Sequence, residues 1–232
     1  MILLAGVIGL AGCGSSSATS HTSAGASATS AGPSTSAATS AGGCRPVPSP
    51  APKPAEEHLS APTLRLDPAK TYTVTVATSC GTFAFSLDVR DSPKTSASVY
   101  ALVERGFYDG LSFQRVAAGF VIQGGDPAGD GSGGPGYTVV EPPSRSTQYV
   151  RGDVAMAKTQ VEPSGASGSQ FFVVTAANVT QSAGLTPDYA LVGKVVSGQS
   201  VVDKIGALPT NPAGDGVPTP PVVMSRVTVA PT

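Results

Sequence analysis

Beyond Tyr72 the apolar residues of this chain come in short runs, and glycine, proline or small polar residues cut off nearly every one: "LSFQRV", "FVIQGG", "GDVAMA", "QFFVVT", "ALVGKVV" and "PVVMSRVTVA". Runs of this length bounded by turn residues suit strands and leave little room for long helices. Ahead of them, "TYTVTVAT" alternates Tyr72, Val74 and Val76 with threonine, and "GTFAFSL" alternates Phe83, Phe85 and Leu87 with small residues, the period of half-buried strands. Ser79-Cys80-Gly81 between them reads as a turn, which makes the pair an antiparallel hairpin. Two helices are predicted. Ser92-Pro93 offers an N-cap with proline at the first helical position, and Val99, Leu102, Val103 and Gly106 follow at helical spacing, so this helix ends near Arg105 or Gly106. Ser200 with Asp203 resembles a capping box opening a second helix through Ile205. Many strands and two helices far apart in sequence point to a mainly β domain, an antiparallel barrel or sandwich plugged by helices, and away from a doubly wound parallel sheet.

Only part of the 232 residues can join that domain. From Gly14 to about Ala55 the sequence is nearly all Ser, Thr, Ala, Gly and Pro, too poor in apolar side chains to offset the entropy of ordering. Residues 14–65 therefore read as a disordered tether, stiffer and closer to polyproline II along "CRPVPSPAPKP", Cys44 to Pro54. Residues 66–232 remain as one folded domain, large enough for a substantial core. The formal net charge is −1 and the Lys and Arg residues are scattered, which argues against nucleic acid as a partner.

The first thirteen residues, "MILLAGVIGLAGC", are apolar, too short to span a bilayer as a helix, and end in Leu10-Ala11-Gly12-Cys13. Residues 1–13 resemble a bacterial lipobox signal. That resemblance implies a lipid-modified Cys13 as the first residue of the mature protein, a diacylglyceryl anchor in the cell membrane, and a domain held on the extracytoplasmic face. No Lys or Arg precedes the apolar run, a departure that places the expected true start upstream of Met1; an ordinary secretory segment or a buried apolar N-terminus is the other reading. Cys44 and Cys80 show no CxxC spacing and no metal-type cluster around them. In an exported protein such a pair often forms a disulfide, here pinning the end of the tether to the first hairpin; two free buried thiols are the alternative.

Hydrolytic chemistry lacks its base. His21 and His58, the only histidines, lie upstream of the domain, so a Ser-His-Asp or Cys-His arrangement has nothing to take a proton. The loop "GGDPAGDGSGGPG", Gly124 to Gly136, lacks the Gly-Lys-Ser/Thr of a phosphate loop and opens no evident helix. Asp126, Asp130 and Gly131 faintly echo a calcium loop whose further carboxylates are missing, which leaves the aspartates as solvated turn residues and no metal expected. Arg151-Gly152-Asp153 and the Asn178-Val179-Thr180 sequon are short enough to arise by chance.

What remains is one cation in a greasy stretch, "FQRVAAGFVIQGGDP" from Phe113 to Pro127, followed further on by "GSQFF". Together with "TVTVATSCGTFAFSL", "FYDGLSFQRV", "GDVAMA" and "ALVGKVVSGQSVVDKI", these motifs resemble the cyclophilin family of peptidyl-prolyl cis/trans isomerases across nearly the whole domain. The resemblance implies a closed eight-stranded antiparallel β-barrel capped by two α-helices. It also implies no cofactor, and a monomer acting on proline-containing polypeptides, here exported or cell-envelope proteins as they fold.

Such chemistry suits a site without histidine. An X-Pro bond has a rotation barrier of about 18–20 kcal/mol because the nitrogen lone pair is delocalised, and no bond has to break. A catalyst favours the twisted state, whose pyramidal nitrogen regains a lone pair that accepts a hydrogen bond. A permanently charged guanidinium against a dry apolar wall is a suitable donor. By resemblance Arg115 is that donor, and Phe120 and Gln123 complete the catalytic set. Val121, Phe172 and Leu185 line the proline pocket with Phe120, and Tyr189 sits at its rim. Gln123 and the backbone around Ala157 hold the substrate main chain, while Gln170 supports the arginine or the peptide. Taken singly, each apolar residue among these reads as ordinary core. The rival reading is a binding or chaperone module that keeps the groove but turns over little; it has less need of the cation.

Three features depart from the family pattern. Ala157-Lys158 stands where Ala-Asn is common, so that an asparagine contact is replaced by backbone only. Val121 stands where methionine is common, and the chain has no tryptophan, with Gly184 or Leu185 near where the family often places an indole. The resemblance thus implies weaker cyclosporin binding than in relatives that carry the indole.

Overall fold

A computed structural model describes residues 43–54 and 58–231. The signal segment 1–13 with Cys13, and the tether as far as residue 42, lie outside the described residues.

The expected hairpin is β1 (Tyr72–Thr78) and β2 (Gly81–Leu87), followed by helix α1 (Pro93–Glu104). Then come β3 (Arg115–Ala117), β4 (Val121–Gly124), β5 (Val139–Val140), β6 (Asp153–Met156), β7 (Ala166–Ser167), β8 (Phe171–Val174) and the single turn α2 (Val179–Ser182). The chain ends with β9 (Leu191–Ser197), α3 (Gln199–Gly206), β10 (Thr210–Asn211), β11 (Asp215–Pro218) and β12 (Met224–Pro231). The main sheet is antiparallel, in the order β10-β11-β3-β4-β8-β6-β9-β2-β1-β12, and β5 pairs separately with β7. The fold is mainly β with few helices, as expected, but the main sheet has ten strands instead of eight. The additional hairpin, β10 with β11, lies in "TNPAGDGVP", a Pro- and Gly-rich stretch whose polar residues carry no alternation to read. At the other edge, the segment leading into β3 runs beside the approach to β12. Ser112 pairs with Val223, the Phe113 N–H donates to the Val222 carbonyl at 2.9 Å, and the Met224 N–H donates to the Leu111 carbonyl at 2.8 Å.

Strand alternation sorts side chains onto two faces. Val116, Ile122, Val154, Met156, Phe171 and Val173 enter the main core, where Val99 and Leu102 of α1 and Val202 and Ile205 of α3 meet them. Their strand neighbours Ala117, Val121, Ala155, Phe172 and Val174 turn the other way and build a second, smaller apolar cluster. The candidate site lies on this second face.

Both helix starts differ from expectation. Ser92 is the N-cap residue of α1 with Pro93 behind it, but its hydroxyl donates to the Leu191 carbonyl at 2.5 Å and caps nothing. The orphan N–H groups of Lys94 and Thr95 donate instead to the Glu141 carboxylate, at 3.2 and 2.9 Å, which sets an acid at the positive end of the helix. In α3 the N-cap is Gly198 at φ 72, so Ser200 is already inside the helix and Asp203 faces Arg151 and Gln199. Only glycine fits at that cap, because a Cβ would lie 2.4 Å from the Thr82 carbonyl oxygen.

The boundary expected at residue 66 also moves. The Arg45 N–H donates to the Ser79 carbonyl at 2.8 Å, the Lys53 N–H to Pro127 at 2.9 Å and the Leu59 N–H to Pro135 at 2.8 Å. The end of the supposed tether is thus a strap that runs from the first hairpin to the glycine-rich loop. Cys44, buried at its start, is disulfide-bonded to Cys80. Composition hid the strap because it buries little apolar surface. Prolines at 46, 48, 50, 52 and 54 have already removed much of the freedom that docking would cost.

Candidate active site

Sheet register places the candidate residues in one row. Arg115 on β3 pairs with Gln123 on β4, Gln123 with Phe172 on β8, and Phe172 with Ala155 on β6. Since Val116, Ile122, Val173 and Val154 fill the core, these four alternate residues share the outer face, a cation at one end and apolar surface at the other.

On the apolar side the structure brings together Phe120, Val121, Phe172, Leu185 and Tyr189, the residues expected at the proline pocket, in one cluster that Ala157, expected to hold the main chain, also joins. Tyr189 stands edge-on to Phe172 with ring centroids 5.5 Å apart. Sequence reasoning missed Tyr149, which is buried behind them, its ring 6.3 Å from both Phe172 and Tyr189. Its hydroxyl donates to the Tyr189 carbonyl at 2.6 Å and accepts from the Tyr189 N–H at 3.0 Å, so it fixes the backbone of the rim residue. Burial pushes the Tyr149 hydroxyl pKa up to about 12. No neighbouring motif marks it, since in "RSTQYVRGD" Tyr149 and Val150 are a single apolar pair with no period to read.

On the polar side, Arg115 donates from Nε and Nη2 to the two carboxylate oxygens of Asp215, each at 2.7 Å, and from Nη1 to Gln123 Oε1 at 3.2 Å. Gln123 Nε2 donates to Gln170 Oε1 at 3.1 Å, and Gln114 Nε2 reaches the same oxygen at 3.0 Å. Gln170 in turn donates to the carbonyls of Gly131 and Gly133, both at 2.9 Å. Gln170 therefore supports the arginine at one remove, through Gln123. The Ala157 N–H is engaged by the Gln170 carbonyl at 2.8 Å.

Asp126 corrects the reading of this loop as solvated turns. It is 2 % exposed, and its carboxylate accepts from the N–H groups of Ala128, Gly131 and Gly133, which folds the loop around it. A glycine loop with many N–H groups and few side chains needs such an acceptor if its backbone is buried. Asp130 is exposed, as expected, and bonds to Ser132.

Lys158, beside Ala157, is itself held in place. Its ammonium donates to Asp188 at 2.6 Å and to the carbonyls of Thr159 and Glu162, and lies 5.5 Å from the Tyr189 ring centroid. The hydrogen bond from Lys158 is the main cause holding the Asp188 carboxyl below its ordinary pKa. A recess of about 490 Å³ adjoins the row at Gln123, walled by Gly133, Tyr137, Ala157, Thr159 and Gln170. Among the described residues no group of three or more His, Cys, Asp or Glu side chains could hold a metal ion.

The molecule is thus an antiparallel sheet with helices packed on one face and, on the other, a guanidinium in register with an apolar cluster. Residues 73–229 match the model of the cyclophilin type peptidyl-prolyl cis-trans isomerase family. The chain belongs to this family of peptidyl-prolyl cis-trans isomerases. It is 36% identical over 154 residues to a peptidyl-prolyl cis-trans isomerase of Helicobacter pylori, a match covering 60% of this chain and 90% of that one. Peptidyl-prolyl cis-trans isomerase A of Mycobacterium tuberculosis is 33% identical over 180 residues, covering 70% of this chain and 94% of the relative. Among solved structures, a cyclophilin type isomerase of Cryptosporidium parvum in the presence of the dipeptide Ala-Pro superposes with a TM-score of 0.60 at 27% identity, covering 68% of this chain and 98% of that one.

Proposed function

We propose that this isomerase turns X-Pro bonds in exported or cell-envelope polypeptides as they fold, with Arg115 donating a hydrogen bond to the twisted prolyl nitrogen. The row Arg115–Gln123–Phe172 carries the reading. A guanidinium has five N–H donors and Arg115 commits three of them to Asp215 and Gln123, so two are left for a substrate, in a row that continues through Gln123 to the apolar Phe172. Phe120, Val121, Phe172 and Leu185 take the proline ring with Tyr189 at the rim, and Gln123 and the Ala157 backbone take the peptide main chain.

The finer architecture belongs to the same proposal. Strands β3, β4, β8, β6, β9, β2, β1 and β12 form an eight-stranded barrel whose seam is the pairing of residues 111–113 with 222–224, with β10 and β11 added outside it. The protein works as a monomer on the extracytoplasmic face, held in the cell membrane by a lipid on Cys13. The lipobox-like end of the apolar segment supports the anchor, and the Cys44–Cys80 disulfide supports an oxidising compartment. Cys13→Ala then moves the protein from the membrane fraction into the medium.

The deciding experiment is an exchange measurement on a short X-Pro peptide. A hydrogen bond from a charged group is worth about 1.5–3 kcal/mol, so Arg115→Ala, shown to be folded by circular dichroism, should lose about 10- to 100-fold in kcat/KM. Ground-state peptide affinity changes less. Arg115→Lys recovers only part, because a point charge lacks the planar fork. A folded Arg115→Ala protein with the wild-type rate removes Arg115 from the chemistry. A wild-type protein that binds the peptide without accelerating exchange is a binding module.

A further inference from the structure

The guanidinium of Arg115 acts on a nitrogen only if its plane is held, and the structure assigns that task to Asp215, an inference that rests on Arg115 being the donor proposed above. Asp215 opens β11 and pairs with Ala117 of β3, which brings its carboxylate over the neighbouring arginine. Both oxygens are used, one on Nε and one on Nη2, each at 2.7 Å, and a bidentate fork of this kind fixes orientation as well as position. Gln123 holds the opposite edge through Nη1. An arginine side chain otherwise has many rotamers to lose, and here both edges are gripped before substrate arrives. The two remaining N–H groups keep one direction.

The hairpin that carries Asp215 is built for this close approach. Gly216, the next residue, pairs with Val116 of β3, and a Cβ there would lie 2.5 Å from the Asn211 carbonyl group. Any side chain at Gly216 would push β10 and β11 apart and lift the carboxylate from the arginine. Nothing near the motif "FQRVAAGFVIQGGDP" marks Asp215, which stands 100 residues beyond Arg115.

The same carboxylate has an opposing effect, since it offsets part of the positive charge that polarises the substrate. Asp215→Asn sets the two effects against each other, so the sign of the rate change shows which one dominates. Its amide keeps one acceptor for Nε but sets a donor against Nη2, so the fork is broken and the charge is restored to the arginine.

In the full-length protein, Asp215→Asn should lower kcat/KM for an X-Pro peptide by roughly tenfold, chiefly in kcat, because small misplacements of a reacting group are costly in rate. Asp215→Glu recovers part of the loss. The Arg115 Nε–H resonance should exchange faster with water in Asp215→Asn than in the wild type. In an Arg115→Ala background the Asn substitution has no further effect. If Arg115→Ala alone keeps the wild-type rate, the donor assignment is what fails. If Arg115→Ala is impaired while Asp215→Asn turns over at the wild-type rate or faster, positioning is refuted and the donor assignment stands. An equal loss from Asp215→Asn with and without Arg115 also refutes it, since the residue would then act through the hairpin.

Discussion

Lys158 places its ammonium 2.6 Å from the Asp188 carboxylate with only 2 % of the lysine side chain exposed, and so joins the loop after β6 to the loop that carries Tyr189. A buried ammonium is tolerated only when its N–H groups find acceptors, and the Thr159 and Glu162 carbonyls supply the others. Lys158 is therefore a clamp between the two loops.

Lys158→Ala should weaken that wall. Breaking a fully buried ion pair costs about 3–5 kcal/mol, but the Asp188 side chain is 34% exposed and would rehydrate, so a loss of about 1–3 kcal/mol is expected. Because Tyr189 follows Asp188 directly, KM for an X-Pro peptide should rise several-fold while kcat moves less. Urea unfolding and steady-state kinetics read the two effects. Unchanged KM in a destabilised protein would mean that the rim is held by Tyr149 alone.

Asp126→Ala is the corresponding test of the glycine-rich loop. It strips three backbone N–H groups of their acceptor, and leaving buried donors unsatisfied costs about 1–3 kcal/mol each before water enters. Partial hydration should keep the total near 2–4 kcal/mol. The Gly131 and Gly133 carbonyls that hold Gln170 would shift, and the Gln170–Gln123–Arg115 series with them, so kcat should fall as well. A destabilised protein with wild-type kcat would uncouple the loop from the arginine.

The sequence is most legible where period and motif coincide. Alternation in "TYTVTVAT" and "GTFAFSL" marks β1 and β2, and the motif resemblance picks out residues that the sheet then sets side by side, Arg115 beside Gln123 and Gln123 beside Phe172. What was hidden depends on contacts between distant segments. Glu141 caps α1 from across the domain, Tyr149 reaches Tyr189, and Asp215 reaches Arg115, and none of these partners has a local pattern. Asp126 is not legible in the sequence because an aspartate among glycines looks the same whether it bonds its own loop or faces water. The strap is not legible either, because its docking uses backbone N–H groups, which composition does not report.

The strap makes a prediction of its own. A bridge between positions 36 residues apart lowers the entropy of the unfolded chain enough for about 3–4 kcal/mol of stability. Replacing Cys44 and Cys80 together by serine should therefore lower the urea midpoint strongly and raise the denaturant slope, because the unfolded chain expands. The strap should also become more open to proteolysis between residues 45 and 54, where the Arg45 and Lys53 N–H groups and the Lys53 ammonium on the Asp109 carbonyl still tie it to the domain. A midpoint matching the wild type would show that the docked strap stabilises the domain without its bridge.

Tyr149 gives the domain a limit on the alkaline side. Its hydroxyl is pushed up to about 12 by burial, against an ordinary value of about 10 for an unfolded tyrosine. The sign follows from proton counts: between these values the unfolded chain has lost the tyrosine proton and the folded one has kept it, so the unfolded state binds fewer protons and stability falls as pH rises. The contribution is fully present below pH 10 and is lost on the way to about 12. Burial raises the Tyr108 hydroxyl too, so Tyr149 is not alone in this window. Tyr149→Phe should cost about 1–3 kcal/mol at neutral pH, because the Tyr189 N–H and carbonyl both lose their partner. Between pH 10 and 12 the same variant should lose stability less steeply than the wild type, so the two curves converge. Parallel curves across that range would show that the Tyr149 proton is not what the folded state retains, and that the alkaline loss belongs to the other tyrosines that burial raises, Tyr100, Tyr108 and Tyr137.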